Sequence, residues 1–366
     1  MYSHTFYFAF AAVVSALSQK SLPTCREVEI PLTVSVPRFI VNITVQDNWD
    51  AAALTFTLTR RDSGSAADPI PIAGMTSDPV DSNFTIGATL CGTGGTTLVL
   101  THGIIESKRY WRPNFSGAER YSLVDAAMAA GYSVLSYDRI GVGSSSIVDA
   151  LWDAQFQVEV AVLDSLIAYL RSTANAAKIV LVGHSYGSYI SAASASHVDI
   201  DALVLTGFSG SLSYFGPFVA GAGFRVAKIQ NPRRWGHLDP GYLISSDLYA
   251  ETYAYFAAPS FDHRIADWAH NFGSEPFASA ELPSLLATTV EFEAIAAPVL
   301  VLQGQFDLSA CGGNCVGVLN DTKALFTGAK VIETIDSLPA GHNLNLHYVA
   351  PRAFEIMFDF LKRQGK

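Results

Sequence analysis

From Thr96 onward the chain alternates short, uniformly apolar runs with longer amphipathic ones, and this alternation constrains the fold more than any other feature. The runs TTLVLTHG, YSVLSYD, KIVLVGHS and DALVLTGF have the length and β-branched content of strands. Between them, RYSLVDAAMAAG, AQFQVEVAVLDSLIAYLRST and YGSYISAASASH read as helices. Strands with no polar alternation need cover on both faces, which a mostly parallel sheet flanked by helices provides. The expected class is therefore α/β, with a doubly wound, mostly parallel sheet.

The alternation is interrupted once. Residues 211–294 are rich in aromatics, Gly and Pro, with several short helical patterns and no obvious strand. It resumes with PVLVLQGQFD, a helix near GVLNDTKALFTG, the strand KVIETID and a last helix YVAPRAFEIMFDFLKRQ. The predicted organisation is a core from 96–210 and 295–366, with 211–294 inserted as a helical cap. Residues 19–95 form a β-rich extension packed on that core, in which VEIPLTVSV, FIVNITV and LTFTLT read as strands.

The stretch GHSYG falls where KIVLV ends and YGSYISAASAS begins, so Ser185 sits on a strand-to-helix turn. Such a turn crowds the backbone, which gives Gly183 and Gly187 a steric reason, and it projects a serine oxygen outward. Ser185 is thereby a candidate nucleophile, and the Tyr186 amide, at a helix N-terminus, a candidate oxyanion donor. A second donor is expected from LVLTHGII, where the chain turns after Thr101 and can present the amide of Ile104. The acid should end a later strand, and QGQFD places Asp307 there; the base should precede the last helix, and PAGHN places His342 there. The order Ser…Asp…His separates this arrangement from the trypsin-like and subtilisin-like ones. His347 is the rival base, and Asp321 and Asp336 are rival acids. The aromatics Tyr110, Trp111, Phe208, Phe215, Trp235 and Phe306 are candidates for a substrate pocket, with core packing as the alternative for each.

Composition bounds the partners. The chain of 366 residues carries a formal charge of −10 and no basic stretch, which disfavours nucleic acid and anionic membrane surfaces. FYFAFAAVVSAL (Phe6 to Leu17) has signal-peptide length, followed by small residues that allow cleavage after Ala16 or Ser18, although no Lys or Arg precedes it. Residues 1–18 are thus expected to direct secretion, with no stable membrane insertion; a buried N-terminal segment is the alternative. Sequons at Asn42, Asn83, Asn114 and Asn320 fit an extracellular glycoprotein. Four cysteines allow three pairings, of which Cys25–Cys91 and Cys311–Cys315 suit the organisation above.

Taken in order and spacing, THGI, YDRIGVGSS, GHSYG, QGQFD and AGHN resemble the α/β-hydrolase superfamily, in its branch with a helical cap. The resemblance runs from about Gly95 to Lys366 and departs from the family's usual DxRGxGxS at Ile140, which stands where a glycine is usual. Asp138 and Arg139 read as structural residues of that turn. GVGSSS lacks the third glycine of a dinucleotide fingerprint, and DHRIADWAH contains no H-E-x-x-H, so neither a cofactor nor a metal is expected. The resemblance implies a secreted serine hydrolase that cleaves a carboxylic ester or lactone of an apolar small molecule through an acyl-enzyme. Acyltransferase, lyase or cyclase chemistry on the same scaffold, as in natural-product tailoring, and a non-catalytic binding protein are the alternatives.

Overall fold

A computed structural model describes residues 24–60, 63–174 and 176–366. An eight-stranded sheet lies at its centre. In chain order its strands are β1 (Cys25–Val36), β2 (Val80–Cys91), β3 (Thr96–Thr101), β4 (Ser133–Tyr137), β5 (Lys178–His184), β6 (Ala202–Thr206), β7 (Val299–Gly304) and β8 (Ile332–Leu338). In space they run β1-β2-β4-β3-β5-β6-β7-β8. β1 pairs antiparallel with β2, and β2 with β4; every other neighbouring pair is parallel. The inner strands are buried along nearly their whole length, as their unbroken apolar composition requires. Helices α2 (Leu123–Ala129), α3 (Phe156–Thr173), α4 (Tyr186–Ala195) and the C-terminal α8 (Ala350–Arg363) flank the sheet, α3 packing on α4 and α2 on α8. This is the doubly wound α/β sheet expected from the alternation.

The N-terminal segment differs from its sequence reading in two ways. β1 and β2 are hydrogen-bonded into the main sheet, in register from Cys25↔Cys91 to Val36↔Val80, so they extend it rather than pack upon it. LTFTLT is not a strand: it closes helix α1 (Asn48–Thr59). Asp47 caps that helix by accepting from the amides of Trp49 and Asp50, and Ala51, Leu54 and Leu58 bury one face at helical spacing. The threonines that mimic strand alternation donate back to carbonyls one turn earlier, Thr55 to Ala51 and Thr59 to Thr55.

The segment 211–294 carries α5 (Phe215–Ala222), α6 (Leu248–Tyr255) and α7 (Glu281–Leu286). It also holds a three-stranded ribbon of Arg225–Val226, Tyr242–Ile244 and Phe277–Ala278, which the sequence did not suggest. Runs of two or three residues are too short to leave a period-2 signature. Helix α1 packs on α5, and the Asn48 side-chain oxygen accepts from the Val226 amide at 2.9 Å. The connection between β1 and β2 therefore helps to build the cap. The cysteines pair as Cys25–Cys91, joining opposed residues of β1 and β2, and Cys311–Cys315, closing a tight loop after β7.

Candidate active site

Between β5 and α4 the chain turns so sharply that Ser185 adopts φ 55° and ψ −122°, outside the regions an ordinary side chain prefers. The neighbouring glycines leave no room for a side chain. A Cβ on Gly183 would lie 2.5 Å from Ser188 Cα, and one on Gly187 would lie 2.2 Å from the Thr101 carbonyl oxygen. The turn is pinned by Ser185 N–H donating to the Thr206 carbonyl at 2.9 Å.

The loops after β5, β7 and β8 converge here. Ser185 Oγ lies 2.8 Å from His342 Nε2, and His342 Nδ1 lies 2.8 Å from Asp307 Oδ2. Asp307 is fully buried and caps the short helix Leu308–Cys311, accepting from the Ala310 amide at 2.8 Å. Its second oxygen also accepts from Gln303 Nε2, whose own carbonyl takes the Phe208 amide at 2.8 Å. Burial pushes the Asp307 carboxyl up, but His342 and the Ala310 amide outweigh it and hold the group below the usual carboxylate range.

The rivals serve elsewhere. His347 Nε2 accepts from the amides of Ala257 and Gly341, both at 3.0 Å, and its Nδ1 donates to the Asn343 carbonyl at 2.8 Å. Burial holds it down at about 4, so it is a neutral brace for the loop that carries His342. Asp336 accepts from the Gly317 amide, and Asp321 is exposed in a helix beyond the loop.

Ile104 and Tyr186 both line the cavity beside Ser185. Tyr186 opens α4, where the first amides lack intrahelical partners. The Gly103 carbonyl is engaged by His102 Nδ1 at 2.8 Å and Arg139 Nη2 at 3.3 Å. In a trans peptide this turns the Ile104 N–H the opposite way. Arg139 does more than shape its own turn. It lies 4.7 Å from the centre of the Tyr186 ring and is held by Glu159 of α3 and Glu281 of α7 at 2.6 and 2.7 Å, all three buried. Burial raises both carboxyls despite the shared guanidinium, Glu159 to about 8.

The cavity measures about 30 Å³ and is walled by Ile104, Tyr189, Leu212, Phe215, Phe218 and Leu285, with Ser209 and Ser309 at one side. Of the six aromatics predicted for it, Phe215 takes part, while Trp235 donates to Glu275 within the cap. Tyr110 stacks on His184 at 4.6 Å, Trp111 is fully buried in the core, and Phe208 packs among Tyr189, Phe292 and Phe326. Phe306 is 43% exposed, because the loop that aims Asp307 inward turns its neighbour out. The cap contributes Ser211, Leu212, Phe215, Phe218, Leu282 and Leu285 to the lining, and the core the rest. Sequence reasoning also passed over Gln303 and over Tyr255, whose hydroxyl donates to the Ile104 carbonyl at 2.7 Å. A polar residue ending an otherwise apolar strand signals Gln303, whereas nothing local marks Tyr255.

Sequence comparison agrees with the fold. A sequence model of the alpha/beta hydrolase family matches residues 98–355, and the chain belongs to that family. Among solved structures, an esterase from Thermogutta terrifontis superimposes with a TM-score of 0.55 at 17% identity, covering 78% of this chain and 95% of its own. An esterase from Exiguobacterium antarcticum gives 0.55 at 15% identity, covering 76% and 96%. These likenesses are of fold. A 1-acylglycerol-3-phosphate O-acyltransferase of Arabidopsis thaliana is 30% identical over 119 residues, 32% of this chain and 26% of that protein. The chain thus spans about a quarter of the length of that curated relative.

Proposed function

We propose that the protein is a serine hydrolase that cleaves a carboxylic ester or lactone of a small apolar molecule. The observation that carries the proposal is the continuous hydrogen-bonded line Ser185–His342–Asp307, with 2.8 Å at each link and the serine on a strained elbow. His342, oriented by Asp307, removes the proton of Ser185 as its oxygen attacks the carbonyl carbon. The amides of Tyr186 and Ile104 take the developing oxyanion, each contributing about 3 kcal/mol. His342 then protonates the leaving alcohol, and water repeats the sequence on the acyl-enzyme. No cofactor or metal enters this scheme.

A cavity of about 30 Å³ with an apolar wall favours a compact acyl group, with the alcohol directed outward. Secretion belongs to the same reading. It is supported by two disulfides, by four exposed sequons at Asn42, Asn83, Asn114 and Asn320, and by the leader-like stretch in residues 1–18, which lies outside the described residues. Among the described residues no helix is long and apolar enough to cross a membrane.

Acyl transfer is the second reading, favoured by the named activity of the Arabidopsis relative. One experiment separates the readings. Chromogenic esters from acetate to long-chain acyl are followed with the mature protein and Ser185→Ala, with and without added alcohols. A burst lost in the variant, followed by steady release of acid, supports hydrolysis; release that depends on the alcohol supports transfer. Absence of turnover together with absence of Ser185 labelling by a fluorophosphonate would remove both and favour the lyase, cyclase or binding readings.

A further inference from the structure

The proposed mechanism leaves one buried carboxylate beside the site without a task. Glu106, 4% exposed, follows the turn that presents Ile104. Its Oε2 accepts from the Gly103 amide at 2.7 Å, and its Oε1 has no hydrogen-bond donor other than what His184 can offer at 3.3 Å. No Lys or Arg pairs with it among the described residues. A buried carboxyl oxygen so placed needs a hydrogen-bond donor.

His184, the residue before Ser185, supplies the geometry for one. The Thr206 hydroxyl donates to the Gly183 carbonyl at 3.1 Å, so toward His184 Nδ1, 3.0 Å away, it can only accept. Nδ1 therefore carries a hydrogen. Nε2 then faces two oxygens, Glu106 Oε1 and the Asn343 side-chain oxygen, each at 3.3 Å. A lone pair between two acceptors would be repulsive, and a hydrogen on the line between Nε2 and Glu106 relieves it. The imidazole is fixed in plane by stacking on Tyr110 at 4.6 Å and lies 4.9 Å from the His342 ring.

We propose that Glu106 is a positioning residue for the oxyanion donor. One oxygen holds the Gly103 amide, the other shares a proton with His184 Nε2, and the Ile104 turn is thereby clamped to the residue preceding the nucleophile. Asn343, next to His342, ties the base loop to the same imidazole. The clamp is tight: a Cβ on Gly103 would sit 2.8 Å from Ser185 Cβ and 3.0 Å from Glu106 Oε2. The role acts through hydrogen-bond reach and not through charge at the reacting carbon. It rests on the hydrolase reading above.

Three variants test it in the full chain: Glu106→Gln, Glu106→Asp and Glu106→Leu. Glutamine can still accept from Gly103 and can donate its amide hydrogen to His184 Nε2, so it replaces the shared proton with a fixed one. Aspartate keeps the charge and loses the reach. The expected order of kcat is wild type, then Gln within roughly 5-fold, then Asp and Leu down by about 100-fold, the scale of one oxyanion donor. KM should change less than 3-fold throughout, and affinity for an aryl boronate should fall in parallel with kcat. If Leu fails to fold, the Gln–Asp comparison decides alone. Asp equal to or better than Gln, or a loss confined to KM, would overturn the assignment. Wild-type labelling of Ser185 by a fluorophosphonate is measured first. Its absence defeats the hydrolase reading itself, whereas labelling with unchanged kcat in all three variants defeats only the role of Glu106.

Discussion

The Tyr255 hydroxyl donates a 2.7 Å hydrogen bond to the carbonyl oxygen of Ile104, 151 residues away. Tyr255 ends cap helix α6, and its ring lies 5.5 Å from that of His342, so one cap side chain touches both the proposed donor turn and the proposed base. Cap and core are coupled at the atoms where charge would develop.

Tyr255→Phe leaves the Ile104 carbonyl buried without that donor, at a cost of about 1–3 kcal/mol. The expected outcome is a lower urea midpoint and a kcat reduced about 10-fold, with the ring packing retained. Unchanged kcat in a destabilised variant would mean that the bond serves the fold alone.

Asp307→Asn tests the acid. Asparagine can still receive the Ala310 amide, so the fold should persist, but it can turn an amide toward His342 and favour the wrong tautomer. By analogy with other Ser-His-Asp sites, kcat should fall about 10⁴-fold with KM little altered. Circular dichroism alongside kinetics separates this from misfolding.

Phe215 and Phe218 bring cap side chains against the cavity, and a Phe215→Ala variant enlarges it. The ratio of kcat/KM for octanoate over acetate esters should rise at least 10-fold, with acetate turnover changed less than 3-fold. An unchanged chain-length profile would place the acyl group elsewhere.

His347 gives an acid limb to stability. Its pKa is depressed to about 4 in the folded protein against about 6.5 when unfolded. The unfolded chain therefore binds the proton more readily. The contribution is fully present above pH 6.5 and is lost as pH falls toward 4, by roughly 3 kcal/mol over the window. Urea midpoints should decline through that range, and the His347 imidazole signal should show no titration above about pH 5.

The Cys311–Cys315 loop directly follows Ser309 and Ala310, which line the cavity, and is anchored by Gly313 N–H donating to the Asp307 backbone carbonyl at 2.8 Å. A ring this short constrains the unfolded chain by only about 2 kcal/mol. Replacing both cysteines by serine should therefore lower stability by no more than about 2 kcal/mol while kcat/KM falls about 10-fold under conditions where the variant stays folded. An unchanged kcat/KM in the folded variant would make the bridge a general staple.

What the sequence carried was whatever a single strand or turn encodes locally. GHSYG, QGQFD and PAGHN each sit at a strand end, and sheet order alone then brings Ser185, Asp307 and His342 together. Gly183 and Gly187 were legible because a steric demand on the backbone leaves no other residue possible. Of the cavity wall, Phe215 alone stood among the candidate aromatics. Leu212, Phe218 and Leu285 are ordinary apolar residues whose place depends on how the cap folds back. Tyr110 and Phe208 looked equally suited and went to the core instead. LTFTLT was misread because its period of two coincides with strand alternation, while the Asp47 cap that decides for helix lies seven residues upstream of Leu54.

The roof over Ser185 is woven from two lengths of chain remote in sequence: residues 211–294, and helix α1 from the β1–β2 connection, joined where Asn48 receives the Val226 amide. A graft that exchanged 211–294 with the lid of a relative would transplant half a structure and leave α1 facing a stranger. Any redesign of this roof has to carry the two pieces together.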